Sequence, residues 1–241
     1  ASNANGITVT NAADIYVDTA TGLYGIDAQN TGTATVTVNN TGKIDPPQIG
    51  INAKGGGIVN VNNNANVEGS LIGIHADSTS LLDGDSVNVQ NTGAATLVKG
   101  DAGNGIEAKI AGGGTVNVGT SGSPVLGAVT GVGSGANGIL GTGLGDINVY
   151  TGTGSVVTGG TTGAAWGINT KSDSNAADGN ADEIVINTLG QVNGRQGIRA
   201  DNTGKDLGGA GVGDTITITT VNGNASVWNL PFIRVPALDV F

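Results

Sequence analysis

Cysteine and methionine are absent from this chain, aromatic residues make up 3% of it, and it holds a single histidine. Without cysteine there is no disulfide framework, no thiol nucleophile and no cysteine-ligated zinc. The same absence suits an exported chain that avoids thiol chemistry. Few Phe, Tyr and Trp means that the bulky side chains around which globular cores are usually built are missing. Basic residues are scarce as well: 9 Lys and Arg stand against 19 Asp and Glu, for a net charge of −10. That balance argues against nucleic acid as a partner, because phosphate binding needs basic patches, and it disfavours anionic membrane surfaces. No apolar run reaches the ~18 residues of a membrane-spanning helix, so no membrane insertion by this segment is expected. No basic-then-apolar leader is visible, and Ala1-Ser2-Asn3-Ala4 is compatible with the start of a mature chain.

What is present is 45 Gly, with Val, Ile, Ala, Thr and Asn. β-Branched residues fit a pleated surface, while Gly and Asn supply turns. These residues recur in register. Gly-Ile pairs begin at Gly25, Gly50, Gly73, Gly105, Gly138, Gly167 and Gly197, with steps of 25, 23, 32, 33, 29 and 30 residues. Units of that length are too small to hold a core of their own, which is the signature of a stacked solenoid. A disordered chain would lack the period.

Five of the pairs open a Gly-Ile-x-Ala motif, as in Gly73-Ile74-His75-Ala76 and Gly105-Ile106-Glu107-Ala108. Strand alternation sends Ile and Ala inward and the variable residue outward, so that slot is expected to face water, and His75 is read as an outward surface histidine. A second alternating run follows each pair: Val36-Thr37-Val38, Val59-Asn60-Val61, Val87-Asn88-Val89, Val116-Asn117-Val118, Ile147-Asn148-Val149, Ile184-Val185-Ile186 and Ile216-Thr217-Ile218. Ile7-Thr8-Val9 plays the same part before the first pair. A third apolar spot precedes the next pair, at Ile15 and Val17, Ile44, Val67, Leu97, Leu126, Val156 and Val192. Three short strands per repeat give an all-β chain, a right-handed parallel β-helix of about eight coils and roughly 35–40 Å in length. The lengthened repeats place loops at Asp77–Ser86, Gly131–Ala136 and Lys171–Asp182. A two-sheet sandwich would leave the Gly-Ile register without a cause.

Gly-Ile-x-Ala followed by Val-x-Val-x-Asn and a Gly-bounded Val or Ile resembles the passenger segments of bacterial autotransporters, over roughly residues 6 to 228. The resemblance implies a right-handed β-helix displayed at the bacterial cell surface or released outside it, typically ahead of a C-terminal outer-membrane β-barrel. The matching residues are core and turn positions, so they carry architecture rather than activity. No barrel signature of repeated strands of about ten residues occurs before Phe241; a barrel would lie beyond the chain, or export would follow another route.

Two outward groups are candidates for interaction. Asn60, Asn88, Asn117 and Asn148 occupy the same slot in four successive coils, and stacked amides either bond from coil to coil as a stabilising ladder or offer a flat polar strip to sugar hydroxyls. Asp146 and Glu183 fall in one column, with Asp182 and Asp214 just before the neighbouring strands. Carboxylates at coil spacing repel unless a proton or cation lies between them, so this group is read either as solvated turn carboxylates or as a calcium site, with Asp173, Asp178 or Asn180 as further donors. Polysaccharide lyases and hydrolases also occur on this fold, and they need clustered carboxylates, or calcium with an Arg or Lys base. Arg195, Arg199 and Glu183 are the nearest approach to such a set, and no carboxylate pair flanks a recognisable cleft. The expectation is a protein that is not an enzyme.

After Trp228 the repeat stops, which divides the chain into a β-helix over 1–228 and an apolar, proline-containing segment over 229–241. Phe232, Ile233, Leu238 and Phe241 need a place to be buried: as a cap on the last coil, as a lead into a further domain, or as a joint to another copy. Two function classes stay open. One is an adhesin-like rod that attaches to host or bacterial surfaces or to glycans; the other is a self-associating subunit of an extracellular filament.

Overall fold

The computed structural model describes residues 5–17, 22–45, 48–173, 182–202 and 215–220. Its 22 strands form three parallel sheets wound into one solenoid, and the described residues contain no helix. An eight-stranded sheet carries the Val-x-Val runs from Ile7–Asn11 to Thr215–Thr220 and is called here the Val face. A seven-stranded short face runs from Ile15–Tyr16 to Gln191–Asn193. The Gly-Ile face, also seven-stranded, runs from Tyr24–Gln29 to Gln196–Asn202. Each coil visits the three faces in that order, so every strand pairs with the strand of the same face one coil away. The expected all-β parallel coil of three strands per repeat is therefore the observed one.

The core is built from columns of β-branched side chains. Val36, Val59, Val87, Val116, Ile147 and Ile184 stack on the Val face and are fully covered. Ile51, Ile74, Ile106, Ile139 and Ile168 do the same on the Gly-Ile face. Stacking in register puts like against like, so one side-chain shape solves the packing of every coil. Where the shape changes, its neighbour changes too. Ile147 takes the place held by Val116 one coil earlier, and Gly141 takes the place held by Ala108. A Cβ on Gly141 would stand 3.1 Å from Ile147 Cγ2, so an alanine there would crowd the isoleucine.

The Gly of each Gly-Ile pair is explained by space. A Cβ on Gly73 would lie 2.9 Å from Val98 Cγ1 and 2.6 Å from the carbonyl oxygen of Gly105 in the next coil. On Gly105 it would lie 2.8 Å from both Val129 Cγ1 and Gly138 O. Here the short face turns into the Gly-Ile face, and a buried branched residue one coil along fills the volume that a side chain would need. Gly25, Gly50, Gly138 and Gly167 repeat the arrangement. Positive φ is a separate device: Gly119 and Gly127, both at φ 74°, bracket the excursion over 120–126.

Three expectations change. On the short face, Leu97, Leu126 and Val156 are half-buried, and the inward column is Ile44, Val67, Val98, Val129, Val157 and Val192. Adjacent apolar residues in strands of three or four residues give alternation two solutions, and the covered one is set by the partner coil. The variable slot of the Gly-Ile face does not simply face water: Asn52 is 4% and Glu107 7% exposed. The first loop is shorter than expected, since Asp77 lies within Ile72–Ser78 and Ser86 opens Ser86–Asn91. The second begins after Gly131, the last residue of Ala128–Gly131; of the third, 174–181 lie outside the described residues.

Candidate functional site

The outward amides of the Val face form the expected ladder. Asn60, Asn88, Asn117 and Asn148 are register partners. Asn88 Nδ2 donates to Asn60 Oδ1 at 2.9 Å, Asn117 Nδ2 to Asn88 Oδ1 at 2.9 Å, and Asn148 Nδ2 to Asn117 Oδ1 at 3.0 Å. All four are half-buried. The column continues as Thr37 before Asn60 and as Val185 after Asn148, where side chains that cannot extend the amide chain end it.

A second ladder went unread in the sequence. Asn11, Asn40, Asn63 and Asn91 follow the second apolar residue of the Val-face runs by two positions, and that parity sends them inward. Asn40, Asn63 and Asn91 are at most 1% exposed. Asn11 Nδ2 donates to Asn40 Oδ1 at 2.8 Å, Asn40 Nδ2 to Asn63 Oδ1 at 2.8 Å, and Asn63 Nδ2 to Asn91 Oδ1 at 2.7 Å. The same Nδ2 atoms also donate to backbone carbonyls two residues on, Ala13 at 2.8 Å, Gly42 at 2.9 Å and Ala65 at 2.7 Å. Carbonyl oxygens only accept, so these contacts fix which end of each amide points forward. Every buried amide hydrogen is used, and the chain is turned from the Val face into the short face. The signal for this ladder was Val-x-Val-x-Asn itself, read by parity.

On the Gly-Ile face the variable slots stack as Asp27, Asn52, His75, Glu107, Leu140, Asn169 and Arg199. Asn52 Nδ2 donates to Asp27 Oδ1 at 2.7 Å, and Asn52 Oδ1 lies 3.0 Å from His75 Nδ1. His75 Nε2 lies 3.8 Å from Glu107 Oε1, which also carries the Lys109 ammonium. Asn104 Nδ2 donates to Glu107 Oε2 at 2.6 Å. Beside this column Lys54 Nζ pairs with Asp77 at 2.9 Å. Burial lowers the pKa of His75 from its ordinary value, more than Glu107 and Asp77 raise it; Lys109 and Lys54 add to the lowering. So the outward histidine of the sequence does point outward, but under its neighbours in the stack.

The acidic group is put to local use. Asp146 stands opposite the end of Glu183–Thr188 as the register requires, and its Oδ1 accepts the backbone N–H of Glu183 at 2.9 Å. Asp182 is buried, Glu183 is exposed, and the Asp182 carbonyl accepts the N–H of Thr215 and the side-chain amide of Asn202, each at 3.1 Å. Asp173 pairs with Lys171. Among the described residues no group of three or more His, Asp or Glu is arranged to hold a metal ion; Asp178, Asn180 and Asp214 lie outside them. Arg195 Nη1 donates to Gly163 O at 3.0 Å, and Arg199 pairs with Asp201 at 2.6 Å, so the two arginines have separate partners. Phe232, Ile233, Leu238 and Phe241 also lie outside the described residues. Among those described, no helix is long and apolar enough to cross a membrane. Comparison with family models, curated proteins and solved structures found no match for this chain.

Proposed function

We propose that this chain is a stiff rod at the bacterial cell surface or outside the cell, a structural or adhesive protein of the autotransporter-passenger kind, rather than an enzyme. The observation that carries the reading is the coil-to-coil bonding of its polar side chains. Eight asparagine amides of the two Val-face ladders donate to, or accept from, their equivalents one coil away, along the rod axis. The polar groups of a catalytic cleft converge instead on a point from which a substrate is reached. A rod presents its faces and corner loops, such as 79–85 with the exposed Leu81 and Leu82, at fixed spacing from whatever bears it.

A second reading, a filament of copies stacked end to end, is favoured by the terminal strands of the Val face. Ile7-Thr8-Val9-Thr10 and Ile216-Thr217-Ile218-Thr219 share one pattern, and their inward residues are half-covered where those of the interior coils are fully covered. Strand edges of matching pattern are suited to parallel pairing. Electron microscopy of the purified chain at several concentrations, with glycan and cell-surface binding screens, tests both. Separate short rods that bind a surface or glycan support the first reading. Long fibres with one subunit per axial repeat support the second. Cleavage of a polysaccharide, lost in Glu183→Gln or Asp146→Asn, would refute the non-enzymatic reading.

A further inference from the structure

Charged side chains are not spread evenly over the three faces of this rod. Of the eight Val-face strands only Glu183–Thr188 includes a charged residue, and it is the first of that strand. The Gly-Ile face holds Lys54, Asp77, Glu107 and Lys109, and the short face holds Glu68 and Lys99. In a chain of net charge −10, the outer side of the Val face from Ile7–Asn11 to Ile147–Thr151 is thus an uncharged surface of amides and hydroxyls.

The outward amides of this surface are already ordered. Beside the ladder from Asn60 to Asn148, Asn62 Nδ2 donates to Asn39 Oδ1 at 2.9 Å, so two rows run side by side in the same direction. Sites of this grid repeat at about 4.8 Å along the axis and about 6.7 Å across it. A carboxamide has two N–H groups and an oxygen with two lone pairs. Asn117 uses one N–H on Asn88 and one lone pair on Asn148; its other N–H and lone pair are left for bonds off the axis. Because neighbours in the stack hold these amides in place, a ligand does not have to order them. Tyr150, two residues after Asn148 and half-buried on the same side of the strand, adds the one aromatic ring of the described Val-face strands.

We propose that the Val face is a docking surface for an uncharged, hydroxyl-rich linear polysaccharide lying along the rod axis, which deepens the adhesive reading above and rests on it. A sugar hydroxyl both donates and accepts, so it matches a free amide N–H and a free amide lone pair alike. Tyr150 offers its ring to the C–H side of a sugar. A polyanion finds no cation on this face and meets the repulsion of the whole chain. A second copy carries the same net charge. The corner loops 79–85 and 120–126 also flank the neighbouring strands Ser86–Asn91 and Thr115–Val118 on opposite edges of the face. A single polymer chain passes between those loops more easily than another flat sheet does. Since the same amide arrangement returns in successive coils, each sugar needs to bind only weakly, and affinity accumulates with length.

The test is NMR of the side-chain amides of the full chain, titrated with uncharged glucan and mannan oligosaccharides of increasing length and with a sulfated polysaccharide as the charged control. The expected shifts are confined to the amides of Asn60, Asn62, Asn88, Asn117 and Asn148 and to the Tyr150 ring. Binding should tighten with oligosaccharide length and be unchanged by added salt. Asn117→Ala and Tyr150→Ala should each weaken it about tenfold while the backbone spectrum of the other strands is retained. Lys99→Gln, on the short face, should leave it unaltered. Three results overturn the proposal: no ladder shift with any uncharged oligosaccharide, tighter binding of the sulfated polymer, or ladder shifts that grow with protein concentration alone and so report a second copy on this face. Sugar binding confined to another face sinks this inference and leaves the adhesive reading standing. Release of new reducing ends from the oligosaccharides sinks the non-enzymatic reading, while ladder shifts in the same sample still support the docking surface.

Discussion

The two asparagine ladders of the Val face use one side chain at one spacing, yet they sit on opposite sides of the same strands. Asn60, Asn88, Asn117 and Asn148 look outward and are half-exposed, so water can take over any bond that is broken. Asn40, Asn63 and Asn91 look inward, are covered, and each also serves a turn. The outer amides bond to one another along the axis; the inner ones hold the axis and the corner together. A hydrogen bond that water can replace contributes little net stability, whereas orphaning a buried partner costs the full desolvation of that group. Identical chemistry thus differs in worth by location. It follows that the inner column should tolerate little and the outer column much.

The largest effect is expected where the wall between the ladders is attacked. Val118→Asp puts a carboxylate among fully covered Val and Ile side chains, and it should cost on the order of 4 kcal/mol or more, read as a lowered urea midpoint and loss of both ladders. Retention of full stability would show that the inward assignment is wrong. Next comes Asn63→Ala, which leaves Asn40 Nδ2, Asn91 Oδ1 and the Ala65 carbonyl without their partner. A loss of about 2–3 kcal/mol is expected, with faster amide exchange at the Val-to-short-face corner. Asn117→Ala removes two axial bonds from the outer column but opens their partners to water, so the loss should stay near 0.5–1 kcal/mol by the same measurement. If Asn117→Ala costs as much as Asn63→Ala, burial is not what separates the ladders. The smallest effect belongs to Asn148→Val. Val185 already occupies this slot one coil on, only one ladder bond ends there, and the change should fall within about 0.5 kcal/mol of zero.

The comparison also shows what could be read from the sequence. The Gly-Ile period and the apolar alternation at Val87-Asn88-Val89 report events within one coil, where neighbours in space are neighbours in the chain; they gave the face of every such residue. The outer ladder and the pairing of Asp146 with Glu183 needed only correct register, and both alignments hold. The failures share another cause. Whether Glu107 is covered depends on Asn104, Lys109 and His75, and the last lies a whole coil away. Whether Leu97 or Val98 turns inward depends on Val67 and Val129, likewise in other coils. The backbone N–H that Asp146 binds likewise has no mark in the amino-acid code. A buried Asn is equally silent unless parity is counted, as it can be for Asn40 and Asn63.

The close approach of each Gly-Ile glycine to the next coil carries a consequence for how such a chain can change. Gly50 meets Val67 and Gly73, Gly73 meets Val98 and Gly105, and Gly105 meets Val129 and Gly138: one contact, copied. A gene that duplicated or lost one whole unit, cut between equivalent glycines, would restore that contact at the new seam without inventing any other. Length is then a trait that recombination can adjust in steps of about 4.8 Å, while a cut of any other size would misalign every glycine beyond it.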